Sequence, residues 1–245
     1  MTDTPAYSHT PKWSAGASCS RWLALLALFA LPLLAASVFA HGVAENDKLF
    51  LEQSSGMQLM AFIYLGAKHM VTGYDHLLFL FGVIFFLYRM REVGIYVTLF
   101  AVGHSATLLY GVISDIHVNA YIVDAIIGLS VVYKALDNLG AFRRLLGYQP
   151  DMKVAVLIFG FFHGFGLATK LQDFRLSSDG LIPNILAFNV GVELGQILAL
   201  GAILIAMGFW RRTDVFARQA FSANVALMAA GFVLTGYQIT GFFVS

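Results

Sequence analysis

His69, Asp75 and His76 stand in a stretch, 62–87, that is otherwise apolar enough to lie in a lipid bilayer. Ionisable side chains there cost a few kcal/mol each on insertion, and membrane proteins keep them where an ion or substrate is bound or conducted. His104, Asp124, His163 and Glu193 each interrupt a further apolar run. Imidazole and carboxylate together are the donor set of a hard or borderline divalent metal. The chemistry to look for is therefore coordination of a metal ion within the bilayer.

Spacing sharpens this. His69 and His76 are seven apart and share a helix face two turns apart, with Asp75 just beside the stripe. Asn189, Glu193 and Gln196 fall at i, i+4 and i+7, one polar stripe that lipid cannot satisfy and that is expected to turn inward. Counting about 1.5 Å per residue from the span ends puts Asp75, His76, His104, His163 and Glu193 near the bilayer midplane. His69, Asp124 and Asn184 lie nearer the outer face, as an approach path requires. A single intramembrane His could serve as a hydrogen bond between helices, Asp75 could orient an imidazole instead of binding metal, and Asn189 and Gln196 could be interhelical glue. The number of such groups at matched depth favours a site: His69, Asp75, His76, His104, His163 and Glu193 as metal ligands, with His41, Asp124, Asn189 and Gln196 in secondary or capturing roles.

The elements that must position these groups are apolar helices. The chain has 245 residues, 59% hydrophobic and 12% charged, with a net charge of +1, and a mean hydropathy of +0.76. That composition excludes a soluble globular domain and offers no basic tract for a nucleic acid. Six segments near the length needed to span a bilayer follow one another, at roughly 59–88, 94–113, 119–138, 154–171, 182–210 and 221–244. The first is long, and Gly66 or Gly73 is expected to bend or break it. Ahead of them, Lys12 and Arg21, the apolar run 22–34 and the small residues ending at Ala40 form a secretory signal peptide, 1–40, whose cleavage would expose His41. The remainder, 41–245, reads as one all-α domain: a polytopic bundle of six transmembrane helices.

Arg89, Arg91, Arg143, Arg144, Lys153, Arg211, Arg212 and Arg218 fall in alternate loops, which places those loops in the cytoplasm and both mature termini outside. Lys68, Lys134 and Lys170 stand near span ends, where snorkelling is the ordinary explanation. Cys19, the only cysteine, lies in the expected leader, so thiolate ligation is not in play. Met57 and Met60 are spaced as helix packing, or as a thioether copper site.

The segment His69-Met70-Val71-Thr72-Gly73-Tyr74-Asp75-His76 resembles the His-x5-Asp-His signature of the HupE/UreJ family. Further blocks similar to that family surround His104 (Gly103 to Leu108), His163 (Phe162 to Gly166) and Glu193 (Phe188 to Gln196). The resemblance implies a six-span membrane protein with a cleaved signal peptide, associated with hydrogenase or urease systems and regarded as a nickel or cobalt permease. One departure bears on the metal: the family's nickel-associated branch has Phe-His-Gly-x-Ala-x-Gly-x-Glu in its fourth span. Here Phe162, His163 and Gly164 fit, while Gly166, Ala168 and Lys170 replace the Ala, Gly and Glu.

The leading expectation is a permease, not an enzyme, that moves a divalent transition metal (Ni or Co first, Cu next) inward across a bacterial inner membrane. No P-loop accompanies the spans. Membrane lipid is its surroundings, and a metalloenzyme or other membrane subunit a possible partner. The rival expectations are a non-transporting accessory or metal-delivery subunit, and a haem or di-iron redox protein built on His pairs.

Overall fold

The computed structural model describes residues 56–172 and 179–245, all helices and short connections, with no strand among them. The signal peptide, Cys19 and His41 lie outside the described residues. The helices are α1 (Leu59–Thr72), α2 (Tyr74–Ile84), α3 (Met90–Ile113), α4 (Ala120–Asn138), the short α5 (Ala141–Leu146), α6 (Met152–Gln172), α7 (Leu181–Arg211) and α8 (Val215–Val244). Four of them, α3, α6, α7 and α8, are long and apolar enough to cross a membrane. Helix α4 falls short of that measure because it carries Asp124, Lys134 and Asp137 within 19 residues. Helices α1 and α2 are each too short, because Gly73 interrupts one apolar segment between them.

The surface is apolar, and polar side chains are gathered into an otherwise apolar interior. Leu194, Ile197, Leu198, Ile205 and Phe209 line the exposed side of α7, whereas His76, His104, Asp124, His163, Asn189, Gln196, Asn224 and Gln238 are buried. Such an inversion suits a bundle whose surroundings are lipid, where polar groups find partners only inside. The protein is accordingly an all-helical membrane protein.

Small residues let the helices pair closely. On α7, Gly191 and Gly195 face α1; a Cβ at Gly191 would overlap the Ile63 carbonyl, and one at Gly195 would lie 2.7 Å from the Ala67 carbonyl oxygen. Gly160 and Gly164 of α6 meet α3, where a Cβ at Gly103 would fall 2.6 Å from the Leu157 carbonyl oxygen. Gly128 of α4 meets Thr235 and Gly231 of α8. Each is a small-x3-small arrangement that allows near backbone contact and the dispersion that stands in for the hydrophobic effect in lipid. The contacts run in register for α1 with α7 and for α3 with α6, which are parallel pairs; α4 and α8 are antiparallel.

These directions gather the ends of α2, α4 and α7 with the starts of α3, α6 and α8. Arg211, at the end of α7, donates to the carbonyls of Ile84, Phe85 and Leu87 and lies over the Tyr88 ring at 4.6 Å. It thereby satisfies carbonyls that the end of α2 leaves without helical partners. We call this the basic end. At the opposite end, Asn184 accepts from the Gln58 amide at 2.8 Å and donates to the Gly56 carbonyl at 3.0 Å. Asn184 thus ties the starts of α1 and α7 together at that end.

Candidate functional site

The break at Gly73 shapes the site. On an unbroken helix, His69 and His76 would be separated by seven residues, about 10.5 Å along the axis. Gly73 adopts φ −72° and ψ 104°, ending α1 and starting α2, and the two rings come within 5.1 Å, centroid to centroid. His69 therefore joins the deeper histidines instead of standing apart toward the outer face. The His76 ring lies 5.0 Å from His163 of α6 and 6.3 Å from His104 of α3. Three imidazoles, from α1, α3 and α6, thus stand around the His76 ring of α2.

The hydrogen bonds assign the nitrogens. His76 Nδ1 donates to Asp75 Oδ1 at 2.9 Å, and the same oxygen accepts from the His76 amide, also at 2.9 Å. His163 Nδ1 donates to the Phe159 carbonyl at 2.8 Å. A carboxylate or carbonyl accepting from Nδ1 leaves Nε2 as the lone pair, the arrangement that orients imidazole ligands in metal sites. Asp75 is thereby bonded to His76 through one of its oxygens. The Nε2 atoms of His69, His76, His104 and His163, together with His104 Nδ1, are buried and have no hydrogen-bond partner in the protein. Gln196 Nε2 and Asn189 Oδ1, on the inward side of α7, are buried without partners as well.

Other predicted groups are placed differently. Glu193 is exposed on the outer side of α7 and does not join the histidines; the Asn189–Gln196 stripe turns inward while Glu193, roughly 40° around the helix from Asn189 and roughly 60° from Gln196, falls past the edge of the buried face. Asp124 is buried and takes both of its oxygens to Lys170 Nζ, at 2.9 and 2.8 Å. Lys170 therefore does not snorkel; it pairs across α4 and α6. Lys134 likewise is buried and bonds Asp137 at 2.5 Å. Among the described residues, no three His, Cys, Asp or Glu side chains stand converged as a finished coordination sphere. What converges is a chamber of imidazoles with unused acceptor nitrogens.

Sequence reasoning overlooked Thr107, Asn138 and Asn224. Thr107 Oγ1 donates to the Phe161 carbonyl at 2.8 Å, clasping α3 to α6 beside His104 and His163. Asn138 bonds the Gly82 carbonyl at 2.9 Å and Asn224 at 2.8 Å, tying α2, α4 and α8. The signal for Asn224 was available, since it is an amide in an apolar run.

A profile described as HupE / UreJ protein matches residues 45–245, which include every described helix. The chain belongs to the HupE/UreJ family. That family is associated with nickel or cobalt transport or with accessory function. Comparison with curated proteins and with solved structures gives no match. The family's His-x5-Asp-His segment is the one that Gly73 folds into the chamber, and its Phe162-His163-Gly164 segment supplies the facing ring. Gly164 also makes that ring's approach possible, since a Cβ there would overlap the His104 carbonyl and Thr107 Oγ1.

Proposed function

We propose that this HupE/UreJ protein is a permease for a divalent transition metal, Ni²⁺ or Co²⁺ before Cu²⁺, and is not an enzyme. The ion would travel from the end opposite the arginines, through the histidine chamber, toward the basic end. In this reading α1 and α2 together form one span, and with α3, α4, α6, α7 and α8 make six, both mature termini being periplasmic in an inner membrane. The parallel and antiparallel pairing of the helices supports that alternation, and the basic loops support the orientation.

The observation that carries the proposal is the cluster of four unpartnered Nε2 atoms. An imidazole centroid lies about 3.2 Å from a metal held at about 2.1 Å through nitrogen, so two rings on one ion stand roughly 4.5 Å apart in cis and 6.4 Å in trans. The rings of His69, His163 and His104 lie 5.1, 5.0 and 6.3 Å from His76, inside that interval. The three rings are thus spaced from His76 as ligands of a shared ion would be. A broken helix at the binding level is also how transporters expose half-helix ends to an ion. His69, His76, His104 and His163 would replace the hydration shell, Asp75 would hold His76 in register, and Asn189 and Gln196 would complete the wall.

The test is metal content by mass spectrometry of purified protein after exposure to mixed Ni, Co, Cu, Zn and Fe, followed by flux into proteoliposomes. Wild type retains one metal and His76→Ala and His163→Ala lose both retention and flux. Unchanged retention and flux in both variants would remove the chamber from the function. Glu193 supports a second reading, a non-transporting subunit docked through α7, because a carboxylate at mid-helix on a lipid-facing surface needs a partner. Mild-detergent co-purification of a stoichiometric membrane protein, without flux, would favour that reading.

A further inference from the structure

Each of three chamber histidines has a phenylalanine one helical turn toward the basic end: Phe79 below His76, Phe100 below His104 and Phe159 below His163. Their rings meet. Phe79 lies 5.5 Å from Phe100 and 5.8 Å from Phe159, centroid to centroid, the separation of packed aromatic pairs. Above them the layer touches the chamber directly, with Phe100 at 4.8 Å and Phe79 at 5.8 Å from the His163 ring. Phe79 and Phe100 are 1% and 2% exposed, and Phe159 is half-buried beside them.

Below the layer, one further turn along α2 and α3, Val83 and Tyr96 line a cleft of about 510 Å³ that opens at the basic end. Lys134, Asp137, Asn138, Arg143 and Gln149 give that cleft a polar wall. The order along the bundle is therefore imidazole chamber, aromatic layer, polar cleft.

We propose that Phe79, Phe100 and Phe159 form the inner seal of the permeation path, and that the cleft is the vestibule into which the ion is released. An apolar constriction between two polar spaces excludes water and thereby bars a hydrated cation. A dication held by the histidines cannot advance until the rings part, which makes the layer, not the ligands, the element that separates binding from release. This rests on the permease reading, which it deepens by assigning the inner barrier.

The test places a cysteine in the cleft, Tyr96→Cys, in a Cys19→Ser chain, which has no other thiol. Oriented membrane vesicles are treated from either side with a small, charged, membrane-impermeant methanethiosulfonate. With the phenylalanines intact, the thiol reacts from the basic end only. With Phe79→Ala and Phe100→Ala together it reacts from both sides, while Phe79→Leu, which keeps an apolar plug, behaves as the parent. Reaction from both sides in the parent, or from the basic end alone in the double alanine variant with normal metal retention, overturns the seal. Metal flux is measured on the same preparations: its absence from the parent refutes the permease reading and leaves the labelling pattern to decide the barrier by itself.

Discussion

Gly73→Ala tests whether the orientation of His76 matters apart from its presence. Gly73 has φ −72°, which alanine adopts freely, so the backbone is not strained, and loss of glycine freedom in the unfolded chain stabilises by about 0.4–1 kcal/mol. The added methyl, however, would lie 2.6 Å from His76 Nδ1 and 3.0 Å from Asp75 Oδ1. It intrudes on the bond that fixes the His76 tautomer. The ring cannot swing clear cheaply, because His69, His163, His104 and Phe100 hem it in at 5.0 to 6.3 Å. Loss of the partner that orients a metal-bound histidine lowers affinity about 10- to 100-fold, or roughly 1.4–2.7 kcal/mol. The assay is equilibrium metal retention alongside thermal unfolding in detergent, with Gly94→Ala as control, since a Cβ there meets nothing within 4 Å. The outcome reasoned from the structure is a protein that still folds, its stability lowered by the clash, and that holds metal at least tenfold more weakly. Parental affinity in a folded Gly73→Ala protein would refute the role given to the Asp75–His76 pair.

Two predictions concern the frame around the chamber. Lys170→Met removes the ammonium that both Asp124 oxygens use and should lower stability by about 3 kcal/mol, while Asp124→Asn combined with Lys170→Met recovers most of that loss; thermal unfolding of the single and double variants measures the coupling, and additive losses would show that the two charges act separately. Gly103→Val should separate α3 from α6, because even a Cβ there would lie 2.6 Å from the Leu157 carbonyl oxygen; the same measurement should show a loss of at least about 1–3 kcal/mol, and a neutral effect would mean that the pair is not closely packed.

The fold was largely legible because length and hydropathy are local properties. The expected segment 182–210 is α7, Leu181–Arg211, and 154–171 is α6, Met152–Gln172. Gly73 was one of two glycines expected to interrupt the first segment; Gly66 instead lets α7 approach, its Cβ position overlapping the Phe188 carbonyl. Depth along an axis can be counted, but the direction in which a side chain points around that axis depends on the neighbouring helix. That is why His76, His104 and His163 gather as their depth suggested while Glu193, at a matching depth, points away. It is also why Lys170 and Asp124, 46 residues apart, were not read as a pair. Their bond depends on how α4 is rotated against α6, and no spacing within either helix encodes that rotation.

Magnitude decides between a structural and a ligand role for the histidines. A buried polar atom left without a partner costs about 1–3 kcal/mol, and Nε2 of His69, His76, His104 and His163 is buried with no partner within the protein. If these histidines served packing, leucine or phenylalanine would fill the same space without that penalty, as Phe79 and Phe100 do one turn away. If they served as interhelical bonds, their nitrogens would be used, as His163 Nδ1 is used by the Phe159 carbonyl. The chamber does neither at its centre. It holds one nitrogen of His76 and one of His163 in fixed bonds and directs their acceptors into a shared space, which is the arrangement that a cation repays on binding and that a pathway needs if the ion is to leave again.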